Sequence, residues 1–173
     1  MKSLIFIFII SLSLFGETKI EGFKQFKLGM TLSELRALDI IKNVNYLNPL
    51  CMVSTKSHQT LASVDIGNFM IMSFHKGRVK TITIHNIDVT NFYTIKNALE
   101  KRFDKNFVYI KSKYPQKICS YYSLKTKKEE IQLIKGCGDK TKNTMSIYII
   151  DHLNTYKVNV QNDKEIMHNA NDF

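Results

Sequence analysis

Between residues 51 and 151 the chain is dominated by short runs rich in β-branched and aromatic residues, separated by polar turns. Eight such runs, at 51–55, 62–66, 69–74, 79–84, 107–113, 119–126, 130–137 and 145–151, predict a protein built mainly of antiparallel strands. His75-Lys76-Gly77-Arg78 forms a tight turn between two of them, with Gly77 supplying the positive φ that a short hairpin needs.

Two stretches break this pattern. Thr31, with Glu34 three residues on, makes a capping box, and Leu32, Leu35 and Leu38 follow, so a helix is predicted over 31–42. Thr90 is expected to cap a second helix in which Phe92, Ile95, Leu99 and Phe103 form one apolar stripe. Lys96, Asn97, Glu100 and Lys101 occupy its other face, and Asn106 is the expected stop. The order helix, strands, helix, strands predicts an α+β fold, an antiparallel sheet with both helices on one face. It also fits a tandem helix-then-β-meander pseudo-repeat with halves at about 17–88 and 89–156. The polar, Asn-rich residues 157–173 are expected to form a flexible tail.

Composition sets the outer limits. A chain of 173 residues with 44% hydrophobic and 23% charged residues, and only two Pro, has the mix of one globular domain and excludes a collagen or a multi-pass membrane protein. Behind Lys2, residues 4–15 are apolar except for Ser11 and Ser13, the pattern of a signal peptide occupying 1–16. Such a run spans only about 18 Å as a helix, short of a hydrocarbon core of roughly 30 Å. Cleavage is expected after Gly16, with Ser13 as a second candidate. Glu17 stands where a lipobox would need its acylated cysteine. The expectation is therefore a periplasmic or secreted protein with no lipid anchor and no stable membrane insertion after cleavage.

The net charge of +10 raises nucleic acid as a partner, and export argues against it. Most of the excess lies between residues 96 and 128, where ten basic residues face only Glu100 and Asp104. Period-two alternation groups Phe107 and Tyr109 with Lys111 and Lys113, and Tyr121 with Lys125. With Lys96, Lys101, Lys105, Lys127 and Lys128 these predict a basic, aromatic surface that docks an anionic envelope component or an envelope protein. The competing reading is a solvated lysine face in a chain whose Lys, Ile and Asn follow an AT-rich genome.

Pairing Thr126 with Glu130 would place Cys119 directly opposite Cys137, and in an oxidising compartment this predicts a disulfide. Closing that loop would add about 3 kcal/mol in the chain-entropy model. Cys51 is expected to be a buried small hydrophobe. No zinc helix, Cys-x-x-Cys pair, phosphate-binding Gly loop or nucleophile elbow is present, so no cofactor, metal or catalytic residue is assigned. A cleft gathering Asp65 or Asp88 with a histidine would instead favour an enzyme.

Leu28-Gly29-Met30-Thr31-x-x-Glu34-Leu35 resembles the helix opening of small envelope proteins of the SmpA/OmlA type and of the β-lactamase-inhibitor-protein type. Those proteins follow it with an antiparallel meander, in some cases twice in tandem. The chain departs from the lipoproteins at Glu17 and at Leu38-Asp39-Ile40, where they carry a Gly-x-Pro turn. The resemblance implies a non-enzymatic interaction domain of the periplasm. The function expected is accordingly a binding or accessory module, the alternatives being an envelope hydrolase or transferase, or an inhibitor of a partner enzyme.

Overall fold

The computed structural model describes residues 19–111, 120–136 and 143–152. A small hairpin, β1 (Gly22–Phe23) and β2 (Phe26–Lys27), precedes helix α1 (Leu32–Arg36). Strands β3 (Ile41–Leu47) and β4 (Leu50–Thr55) follow, then a two-stranded ribbon, β5 (Thr60–Leu61) and β6 (Val64–Asp65), and then β7 (Phe69–His75) and β8 (Arg78–Asp88). After a 3-10 turn, α2 (Phe92–Phe103) leads to β9 (Val108–Ile110), β10 (Tyr121–Lys125), β11 (Glu129–Lys135) and β12 (Thr144–Asp151).

Eight strands form one antiparallel sheet in the order β3-β4-β7-β8-β12-β11-β10-β9. Each helix thus precedes a four-stranded meander, and the two meanders meet where β8 pairs with β12, Ile82 against Ile149 and Ile84 against Ile147. Alternate residues face the core: Cys51 and Val53, Met70 and Met72, Ile82 and Ile84, Ile131 and Leu133, Ile147 and Ile149 are all buried. Over this face lies α2, whose Leu99 and Phe103 line a small cavity with Ile84, Ile131, Ile147 and Ile149. Its stripe of Phe92, Ile95, Leu99 and Phe103 is buried as the spacing predicts. The fold is α+β with the sheet dominant.

The Gly29-Met30-Thr31 segment has a structural task beyond opening α1. Thr31 and Glu34 complete the capping box. Gly29 N donates to the Val79 carbonyl and Val79 N donates to that of Met30, both at 2.7 Å. The Arg78 guanidinium reaches the Gly29 carbonyl at 2.9 Å. This motif therefore pins the N-terminal segment across the start of β8.

Several expectations are corrected. The first helix ends at Arg36, well short of residue 42, because Ile41, Asn43 and Val44 are poor helix formers and β3 claims them. Strand β3 itself was not foreseen, since Asn43, Asn45 and Asn48 give it the look of a loop. The run at 62–66 begins in a turn, where Ala62 and Ser63 take φ of 51° and 64°, and only Val64 and Asp65 of it are strand. Thr90 does not cap α2; Asp88 accepts the Thr90 N–H, turns the chain through the 3-10 segment, and α2 starts at Phe92. The left-handed Asp104 ends that helix in place of Asn106. In the β10–β11 hairpin Lys125, rather than Thr126, pairs with Glu130, a slip of one residue. The register that would set Cys119 opposite Cys137 is therefore not the one adopted, and both cysteines lie outside the described residues. Cys51 is buried and unbridged as expected. Among the described residues no helix is long and apolar enough to cross a membrane.

The β8–β12 seam is a defined target. Ile147 is 1% exposed and faces Ile84 across it. Ile147→Ala is expected to cost about 2–5 kcal/mol through lost burial and the cavity left behind, read as a shift in the urea unfolding midpoint.

Candidate functional site

The last turn of α2 carries Lys101 and Arg102. Lys105 follows, and its ammonium lies 3.4 Å from the Lys125 carbonyl, so the end of the helix meets the end of β10. There the chain reverses through residues 126–129. The Thr126 hydroxyl accepts the backbone N–H groups of Lys128 (3.2 Å) and Glu129 (2.9 Å) and donates to the Glu129 carboxylate at 2.6 Å. The His152 N–H holds the Lys128 carbonyl at 2.7 Å. With its backbone so occupied, the turn projects Lys127 and Lys128 into solvent.

The N-terminal segment crosses beside this turn, anchored by the fully buried Ile20. Between them is a cleft of about 270 Å³ lined by Lys19, Thr126, Lys127, Lys128 and Glu129. A second hollow of about 140 Å³, sharing Lys19 and Glu129, extends past Lys27, Glu21 and Asp151. Lys27 is 4.0 Å from Glu21, and Glu129 is buried with its carboxylate bound by Thr126. Among the described residues Lys19, Lys127 and Lys128 form no ion pair. Three lysines against the single carboxylate of Glu129 leave the cleft with net positive charge beside a fixed backbone turn, an arrangement suited to a phosphate, sulfate or carboxylate group.

The expected surface is only partly brought together. Lys105, Lys125, Lys127 and Lys128 converge at this end of the sheet. Lys96 is half-buried and bonded to Glu100 at 2.7 Å. Glu100 also accepts the Phe107 N–H at 2.7 Å, so Glu100, held by Lys96, ties α2 to the chain leading into β9. Lys101 is exposed on α2 and Lys111 is exposed just beyond β9, while Lys113 lies outside the described residues. Tyr109 and Tyr121 do not share a face. Tyr109 pairs with Tyr122, their rings 5.2 Å apart, and Tyr122 packs on Phe92. Tyr121 and Lys125 lie on the opposite face of β10. Lys19 and Lys27 were missed because about a hundred residues separate them from the turn they join, and nothing local in the sequence announces that contact.

A buried carboxylate supports the Lys125 side of the site. Glu130, 2% exposed, accepts from the Ser123 hydroxyl at 2.5 Å and bonds His152 Nε2 at 2.7 Å, and Lys125 Nζ is 3.7 Å away. Burial alone would raise its pKa. Hydrogen bonds from Ser123, Gln132 and His152, with the charge of Lys125, outweigh burial and hold it below the ordinary carboxyl value.

The groups that would favour an enzyme are dispersed. Asp65 does meet His58, at 2.8 Å, with both side chains more than half exposed. Asp88 is used as a cap. His85 sits at a β-bulge opposite Ser146, its Nδ1 3.0 Å from the serine hydroxyl, and burial lowers its pKa. Among the described residues no three His, Cys, Asp or Glu side chains are placed to hold a metal ion. Comparison with known proteins finds no matching family model, no matching curated protein and no matching solved structure.

Because the Glu130 pKa is lower in the folded chain, its ionised form stabilises the fold above the ordinary carboxyl range. That contribution is lost as pH falls through the lowered value. Urea midpoints measured from pH 7 down to pH 3 are expected to fall. Glu130→Gln should lower the midpoint at pH 7, by about 1–3 kcal/mol, and flatten this pH dependence.

Proposed function

We propose that the protein is exported by its N-terminal signal peptide and acts outside the cytoplasm as a non-enzymatic binding module for an anionic envelope component. The observation that carries this reading is the convergence of Lys127 and Lys128 with Lys19, distant in sequence, around one cleft of about 270 Å³. Its lining is polar, with three lysines and the single carboxylate of Glu129. The same reading takes the two helix-then-meander halves as a pseudo-repeat whose helices share a face, as in the envelope proteins that the Leu28–Leu35 motif resembles.

A hydrolase reading has one observation in its favour, the His85–Ser146 contact. Among the described residues no carboxylate orients His85, so nothing there holds the imidazole as a general base for Ser146. A fluorophosphonate probe is expected to leave Ser146 unlabelled; labelling that disappears in His85→Ala would replace the binding module with an acyl-transfer enzyme.

The binding reading is tested with phosphatidylcholine vesicles prepared with and without phosphatidylglycerol. Binding is expected only to the anionic vesicles, and to weaken steeply between 0.1 M and 1 M salt, as the Debye length falls from about 10 Å to about 3 Å. Lys127→Ala with Lys128→Ala should weaken it roughly thirtyfold, at about 1 kcal/mol per lysine. Equal binding to both vesicles, or none to either, would remove the proposal.

A further inference from the structure

At the far edge of the sheet from the lysine cleft, β3 pairs only with β4. Among the described residues its outer edge makes no sheet hydrogen bonds. An edge of seven residues is a template for another strand unless charge, proline or a bulge blunts it. Here the single bulge falls between Ile41 and Asn43, where the only charge of the strand, Lys42, also sits. Asn43, Val44, Asn45, Tyr46 and Leu47 remain regular and open.

The surroundings are neutral to an unusual degree for this chain. Residues 43–55 are thirteen consecutive positions without a charge in a protein of net charge +10. Beside the edge, on the face not covered by α2, Leu47 and Leu50 pair across the β3–β4 hairpin and are 57% and 48% exposed. Two copies of so basic a protein repel one another over most of their surface, and this strip is where they meet without that repulsion.

We infer that β3 pairs with β3 of a second copy, antiparallel about a two-fold axis at Asn45. An interface with two-fold symmetry must be self-complementary, and the regular stretch satisfies this. Asn45 faces Asn45 of the second copy, two uncharged amides that donate and accept. Val44 faces Tyr46 twice, a β-branched and an aromatic residue on the core side of the sheet, a favourable cross-strand pair. Asn43 faces Leu47 on the open side. Lys42 falls outside the ladder, and the result is one continuous sheet of twice the width.

The purified protein is expected to sediment with twice its monomer mass at micromolar concentration. Asn45→Lys sets two like charges face to face on the axis and should return it to a monomer with an unchanged far-UV circular dichroism spectrum, since Asn45 is exposed. Asn45→Cys should form an intermolecular disulfide on mild oxidation, absent from the parent protein and from Asn43→Cys. A monomer throughout the micromolar range, or a dimer that survives Asn45→Lys, would overturn the inference; the first outcome leaves the edge to a strand of another protein, the second places the interface elsewhere.

Discussion

The pairing of β8 with β12 is the interaction on which the rest of the structure depends. Hairpins and meanders close locally and lose little chain entropy, whereas this contact joins residues 56 to 69 positions apart. It is made by the longest strand of the sheet, eleven residues, with an isoleucine ladder along the buried side. Helix α2 follows β8 directly and lies over Ile84 and Ile147 together, so the connection between the halves also seals their joint. Without the seam each meander would expose a long hydrophobic edge strand.

The seam also divides the face opposite α2 into two chemistries. From β8 towards β9 that face carries a polar set that is satisfied internally: His85 with Ser146, and Ser123, His152 and Lys125 around Glu130. His85 falls on this face by alternation with Ile84, and the bulge at the seam, with Asn86 left-handed at φ 61°, returns Ile87 to the core. From β7 towards β3 the same face carries Ile71, Met52, Leu50 and Leu47 with no charged partner. A buried glutamate is tolerable only because four groups compensate it. It ties β10, β11 and the end of β12 into a rigid base beneath the lysine turn.

What was legible in the sequence follows from how local each cause is. The capping box, the α2 stripe and the Lys76-Gly77 turn each rest on residues within a few positions of one another, and they are found where the spacing puts them. Strand β3 was hidden because its asparagines favour loops in isolation and are held extended only by β4. The one-residue slip of the β10–β11 hairpin reflects Thr126, which faces Glu129 across a turn of two residues, its N–H donating to the Glu129 carbonyl and its hydroxyl accepting the Glu129 N–H. Of the candidate site, the turn lysines were visible as charge, whereas Lys19, Glu129 and Glu130 acquire a role only through contacts across the chain.

The two surfaces are compatible because the sheet order separates them. Between β3 and β10 lie five strands, so at about 4.8 Å per strand the edge and the lysine turn are roughly 29 Å apart. That distance exceeds the Debye length of about 8 Å at physiological salt, so the lysines of one copy do not oppose the approach of another along β3. In such a dimer the two lysine clefts stand at opposite ends of the joined sheet, roughly 60 Å from each other by the same spacing. Each then meets its own anionic group, and on a membrane or polymer that repeats such groups the second contact becomes intramolecular. Weak affinity at each cleft is then sufficient for firm attachment, which relieves a shallow, solvent-filled site of the need to bind tightly alone.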